Sequence, residues 1–281
     1  MFFAFEDAMR KPSSLAIALL ALAILPSLSS SVGAQEHATP ATFSPSAGTP
    51  TKPVGEALPE LKDILEKNEE VMGGRAAWSR LTSQRMTGVY QTEDGSRYFS
   101  VEILAKSPNK TLYKLTSPND LVIREVCDGQ SAWVEDPRGG YHALTGPALA
   151  ARLRRSEFLG RDKILLLAAT GKVTGTAKVG PYLTYVVEFL SDKNVTSRIY
   201  FDSDTGYVIR AEDIYTTPDG PYTVRVDFAD YRAIDGMKFP FRMRRSEPGS
   251  VFFIRLTQLK NNVYIDDSAF LKPESAARTE P

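Results

Sequence analysis

Residues 222–245 constrain the fold more than any other stretch, because two alternating runs meet there at Ile234-Asp235-Gly236. Val224, Val226 and Phe228 alternate with Arg225 and Asp227, the period-2 pattern of a strand with unlike faces. Asp-Gly favours a tight hairpin corner, since glycine takes positive φ without a Cβ penalty. The same grammar recurs upstream. Glu93-Asp94-Gly95 joins strands expected at 84–91 and 97–106, and Ser107-Pro108-Asn109 leads into another at 110–117. Further runs follow at 120–127, 131–135 and a short piece around Tyr141 and His142. After an interruption they resume at 171–178, 182–190, 196–202, 207–215, 222–233, 238–247 and 251–261.

Helical spacing is confined to three places. Leu58, Leu61, Ile64, Leu65 and Met72 predict an opening helix stopped by Gly73-Gly74, with a short second helix over 75–81 presenting Ala76, Ala77 and Trp78. Leu149, Leu153 and Phe158, then residues 164–167, predict two helices interrupting the strands. Asp266-Asp267-Ser268 is placed to cap a final turn carrying Phe270 and Leu271. Successive antiparallel strands with unlike faces favour a curled sheet with the apolar helices on its inner surface.

The first residues do not belong to this fold. Met9-Arg10-Lys11, the apolar run 15–25 and Val32-Gly33-Ala34 read as a signal peptide over 1–34, with Met9 an alternative start. The apolar run is short for a bilayer span, so an uncleaved anchor is the lesser reading, and no stable transmembrane span is expected after cleavage. Residues 35–56, rich in Ala, Thr, Ser and Pro, read as a flexible tether. One domain is expected over 57–272, followed by a disordered tail over 273–281.

Composition removes several function classes. Lys+Arg and Asp+Glu are equal at 34 each, which gives no electrostatic case for nucleic acid. Arg152, Arg154, Arg155 and Arg161, interspersed with Glu157 and Asp162, read as a solvated helix face. Cys127 is the only cysteine, so no internal disulfide can form, and it reads as a space-filler in a strand. Histidine occurs only as His37 and His142, and His142 reads as a strand-edge residue rather than a general base. No nucleophile elbow, His-Glu-x-x-His or phosphate-binding glycine loop is present. Asp202-Ser203-Asp204-Thr205-Gly206 reads as a turn, since a calcium loop needs a longer series of oxygen ligands. No catalytic residue, metal or cofactor is therefore expected.

The 14 Phe and 12 Tyr fall largely in the strands, where ordinary core is the simplest reading. A long sheet over few helices could also leave an apolar cavity for a lipid or small molecule. Each further buried methylene of such a guest contributes about 0.8 kcal/mol. Candidate wall residues are Phe99, Val101, Tyr113, Leu115, Tyr185, Val187, Val224, Val226 and Phe228. Alternation gives their shared side within each strand and leaves open which side faces inward.

Four segments carry a family resemblance: Val71-Met-Gly-Gly-Arg-Ala-Ala-Trp78, Ser83-Gln-Arg-Met-Thr-Gly-Val89, Tyr200-Phe-Asp-Ser-Asp-Thr-Gly-Tyr207 and Asp230-Tyr-Arg-Ala-Ile-Asp-Gly-Met-Lys-Phe-Pro240. Together they resemble the periplasmic lipoprotein-carrier superfamily (LolA/LolB-like), of the outer-membrane lipoprotein-sorting type. The resemblance implies an unclosed half-barrel of about eleven antiparallel strands enclosing helices and an apolar cavity. It also implies a soluble, periplasmic, non-enzymatic carrier of lipid or of lipoprotein acyl chains, with envelope proteins as further partners. On the same resemblance the opening helix and the helices between Pro147 and Ala169 match a cavity lid, and Arg85 lies where a lid-contacting arginine would be. An envelope-stress sensor or regulatory module on the same fold is the alternative.

Overall fold

The computed structural model describes residues 57–135, 140–218 and 220–272, with the side chains of residues 147, 151 and 160–165 excepted. The expected signal peptide, tether and tail lie outside these residues.

Two helices open the fold, α1 (Leu61–Val71) and α2 (Arg75–Trp78). Six strands follow: β1 (Ser83–Thr92), β2 (Tyr98–Lys106), β3 (Lys110–Thr116), β4 (Val122–Cys127), β5 (Ala132–Glu135) and β6 (Tyr141–Ala143). Then come α3 (Gly146–Ser156), a 3-10 turn (Phe158–Gly160) and α4 (Arg161–Thr170). The second strand series is β7 (Lys172–Val179), β8 (Tyr182–Asp192), β9 (Val195–Asp202), β10 (Val208–Thr217), β11 (Gly220–Ile234), β12 (Met237–Glu247) and β13 (Ser250–Asn261). A 3-10 turn (Asp267–Phe270) follows, with the Asp266 carboxylate accepting from Ser268 N–H at 2.8 Å.

All thirteen strands form one antiparallel sheet in the order β6-β5-β4-β3-β2-β1-β13-β12-β11-β10-β9-β8-β7. The last strand, β13, pairs with β1 and so joins two meanders side by side. This corrects the expected architecture. Among the described residues the sheet is single and open, with β6 and β7 as its unpaired edges, and is not a curled half-barrel of about eleven strands. Side-chain alternation assigns faces; it carries no information about closure or curvature. Each run picked out by alternation did become a strand, and the short β5 and β6 extend one edge.

The residue-222 hairpin forms with β11 paired to β12 and Asp235 and Gly236 both at positive φ, 51° and 79°. Two successive positive values are what a two-residue hairpin needs to match strand twist. α2 is shorter than expected, because the backbone leaves helical pairing after Trp78.

One face of the sheet carries the main core. Met86, Val101, Ile103, Leu115, Val187, Phe201, Val226, Phe228, Met243 and Phe252 pack there with Ile64, Leu65, Met72 and Trp78 from the helices. The opposite face is not simply solvated. Leu112, Val126 and Trp133 are covered there by Ile265 and Phe270 of the C-terminal segment. Lys106 and Lys110 fasten that segment through Asp267, at 2.7 and 2.8 Å.

Candidate functional site: an open cleft beside a charged helix contact

Strand directions divide the helix-covered face into two ends. At the first end lie the β11–β12 and β9–β10 turns; at the second lie the β1–β2, β12–β13 and β10–β11 turns.

The first end is plugged by α1 and α2. The Met72 carbonyl accepts from Lys238 N–H at 3.0 Å and from the Trp78 indole N–H at 2.9 Å. Trp78 packs on Phe239 with ring centroids 5.0 Å apart. Gly73 takes φ 110°, and a Cβ there would lie 2.4 Å from the Gly236 carbonyl oxygen. On the other side of α1, Asn68 donates to the Gly206 carbonyl at 2.8 Å and Lys67 to the Ser203 carbonyl at 2.8 Å. Tyr207 stacks on Tyr231 at 4.4 Å. Three of the four segments that carry the family resemblance therefore meet in this corner. Their chemistry here is close packing: Asp202 accepts from Thr205 N–H at 3.3 Å as an ordinary turn.

The second end is open. A cleft of about 1050 Å³ lies among the tips of the β1–β2 and β12–β13 hairpins, walled by Thr92, Arg97, Tyr222 and Glu247 among others. Tyr222 is 39% exposed and stacks on Tyr215 at 4.8 Å. Behind the cleft Tyr90 is buried between Phe99 and Phe252, at 5.8 and 4.8 Å, and burial pushes its phenol up to about 12.

Charges, rather than apolar contacts, attach α3 to this face. Arg152 is fully buried, pairs with Glu125 of β4, and donates to Thr111 Oγ1 at 2.7 Å. Ser156 is also fully buried, and among the described side chains of α3 none joins the main core. Arg155 lies 3.7 Å from the same Glu125. The solvated face expected for these arginines is thus corrected at Arg152: a matched carboxylate on β4, unpredictable from spacing, makes its burial tolerable. Arg154 does face solvent, 63% exposed beside Asp192 at 3.4 Å. The Arg161 side chain lies outside the described set.

Of the proposed wall residues, Val101, Tyr113, Leu115, Val187, Val226 and Phe228 are buried in the main core, with Phe99 and Tyr185 packed half-buried against it. Val224 is half-buried on the same face of β11. Arg85 alternates with buried Met86, so it points away from the helices, where it pairs with Glu102 at 2.7 Å. His142 is exposed on the edge strand β6, and Cys127 is fully buried. No group of three or more His, Cys, Asp or Glu is placed to hold a metal among the described residues.

Sequence reasoning also missed a buried charge ladder on the face away from the helices. Arg210, fully buried, bonds Asp227 at 2.5 Å across the β10–β11 pair. Tyr200 donates to Glu212 at 2.8 Å, and Arg225 pairs with Glu212 at 2.8 Å. Burial raises the Asp227 carboxyl against the opposing pull of Arg210. The alternating pattern shows polar residues on this face but not their cross-strand partners, which depend on register.

No family model matches the sequence, and no curated protein matches it. Solved structures do. A DUF1329 family protein from Desulfovibrio piger superposes with a TM-score of 0.52 at 14% identity, over 74% of this chain and 95% of that one. A domain described as an outer membrane lipoprotein-sorting protein, from Vibrio parahaemolyticus, gives 0.51 at 13% identity, over 74% and 94%. A LolA superfamily protein from Nitrosomonas europaea gives 0.49 at 15% identity, over 75% and 97%. Among the described residues no helix is long and apolar enough to cross a membrane. At these identities the likeness establishes architecture: the chain shares its fold with the DUF1329 protein and the lipoprotein-sorting domain.

Proposed function

We propose that this chain is an exported, periplasmic, non-catalytic carrier or binding protein for lipid or for the acyl chains of lipoproteins, with residues 1–34 removed as a signal peptide. The observation that carries this reading is the unequal closure of the helix-covered face. Its apolar side chains are sealed by α1 and α2 at one end, while the other end meets solvent at a cleft. An acyl chain entering from that cleft would meet half-buried Phe99 and Val224 before the buried Val101, Tyr113, Leu115, Val226 and Phe228. Tyr185 and Val187 extend the same apolar floor.

Affinity in such a site grows with chain length, by about 0.8 kcal/mol for each methylene buried, so no reacting group is required. The fold shared with a lipoprotein-sorting domain supports the reading without fixing the cargo. Native mass spectrometry of protein purified from its own envelope tests it. Co-purifying acyl lipid is the expected result. Recovery of a stable protein partner with no lipid would favour the sensor alternative and overturn the carrier.

A further inference from the structure

We infer that an acyl-bearing cargo is held by its anionic head, a carboxylate or phosphate oxygen, and that Arg155 supplies the receiving guanidinium beneath α3. The inference rests on the acyl-binding reading above and concerns a polar contact which that reading does not need.

Arg152 and Arg155 stand three residues apart, hence on one side of α3. Arg152 pairs with Glu125 and donates from its two terminal nitrogens to Ser156 and Thr111. Arg155 makes no side-chain hydrogen bond among the described residues. Its Nε is buried without a hydrogen-bond partner among the described residues, and its terminal nitrogen is 3.7 Å from Glu125, which Arg152 already holds more closely. Two guanidiniums thus share a single carboxylate, leaving one positive charge and a buried, unmet Nε donor on a side chain that is 33% exposed.

A buried donor without an acceptor is costly, and a planar guanidinium fork fits a carboxylate or phosphate in two-point contact. Burial lowers the hold of Arg155 on its proton, Glu125 opposes that, and Arg152 and, less, Arg245 add to it. Arg245 lies on the core face of β12, bonded at 2.8 Å to Glu247, which itself walls the cleft. The adjacent Arg154 reaches Asp192 beside the β8–β9 turn, at the second end of the sheet, at 3.4 Å, so this stretch of α3 borders the open end. An anion there would complete the charge balance, while its chain ran on over the apolar floor.

The test is displacement of Nile red, a neutral probe, from the full folded protein. Competitors are dodecanoate, dodecyl phosphate, methyl dodecanoate and inorganic phosphate. The charged chains should compete about tenfold better than the ester, the size expected for a hydrogen bond to a charged group. In Arg155→Gln, folded by circular dichroism, that preference should largely vanish, and Arg155→Lys should restore part of it. The better of the two charged chains identifies a fatty acid or a phospholipid-type head. Equal competition by acid and ester, or a full preference kept in Arg155→Gln, overturns the inference and leaves acyl binding standing. Displacement by inorganic phosphate as strong as by dodecyl phosphate would make this a free-anion site and also overturn it. If no chain displaces the probe, the carrier reading falls as well.

Discussion

Where α1 and α2 meet β11 and β12, the contact is apolar and runs backbone to backbone; where α3 meets β4, it is ionic. Met72, Trp78, Met237 and Phe239 are each at most 3% exposed at the first contact. At the second, the buried side chains are Arg152 and Ser156. The difference matters because apolar packing has no solvated equivalent, whereas a guanidinium and a carboxylate released from each other are welcomed by water. One end of the face is built to stay shut. α4 also packs into the core through buried Leu167, so α3, held by an ion pair, is the helix expected to exchange against solvent or a ligand's own charge.

The largest effects should come from the plug. Trp78→Ala removes a buried indole and its bond to the Met72 carbonyl, and should cost about 3–5 kcal/mol in urea unfolding. Gly73→Ala should cost about 3 kcal/mol, since positive φ and a backbone contact coincide there. Losses below about 1 kcal/mol for both would break the contrast between the two ends.

Arg152→Ala should behave differently. It leaves buried Glu125 with only the more distant Arg155 as a partner, and an uncompensated buried charge would cost about 3–5 kcal/mol if the site had to stay closed. Because α3 contributes no described side chain to the main core, it can instead open locally and let Glu125 reach water. The expected global loss is under about 2 kcal/mol, with faster amide exchange confined to α3. A global loss equal to that of Trp78→Ala would show α3 to be part of the cooperative core.

The C-terminal segment sharpens the comparison from a third position. Lys106 and Lys110 hold the Asp267 carboxyl down to about 2. A depressed carboxyl pKa contributes stability that is complete above its unfolded value and lost as pH falls through the folded one. Acidification from about pH 4 to pH 2 should therefore loosen the cover over Trp133, with the Asp267→Asn variant less sensitive in that window and the Asp266 cap, also held down by its Ser268 bonds, supplying the remainder. Tryptophan emission reads it, and Trp133→Phe separates this signal from Trp78. An identical acid response in Asp267→Asn would remove the Asp267 latch from the account.

How much of this was readable in the chain follows from which interactions are local. The Asp235-Gly236 corner, the Gly73-Gly74 stop and the alternating runs are decided within a few residues, and the structure has them. Arg225 and Asp227 show the limit. Both read as the wet face of a strand, yet Asp227 is 4% exposed because Arg210 lies opposite on β10. Arg152 failed as a solvated position for the same reason, its partner being 27 positions away at Glu125. Openness of the sheet was equally out of reach, since it depends on β6 and β7 having no partner strand among the described residues. The four recognised segments proved informative about packing: three of them build the plug, and none supplies the cleft.

The central claim is that a guest enters at the open end and is met by α3, while the α1–α2 plug stays closed. Hydrogen exchange of the whole protein, with and without saturating dodecanoate, tests it directly. The account predicts altered protection in α3 and at the β1–β2 and β12–β13 tips, with α1 and α2 unchanged. Altered protection in α1 and α2 with α3 unaffected would contradict it.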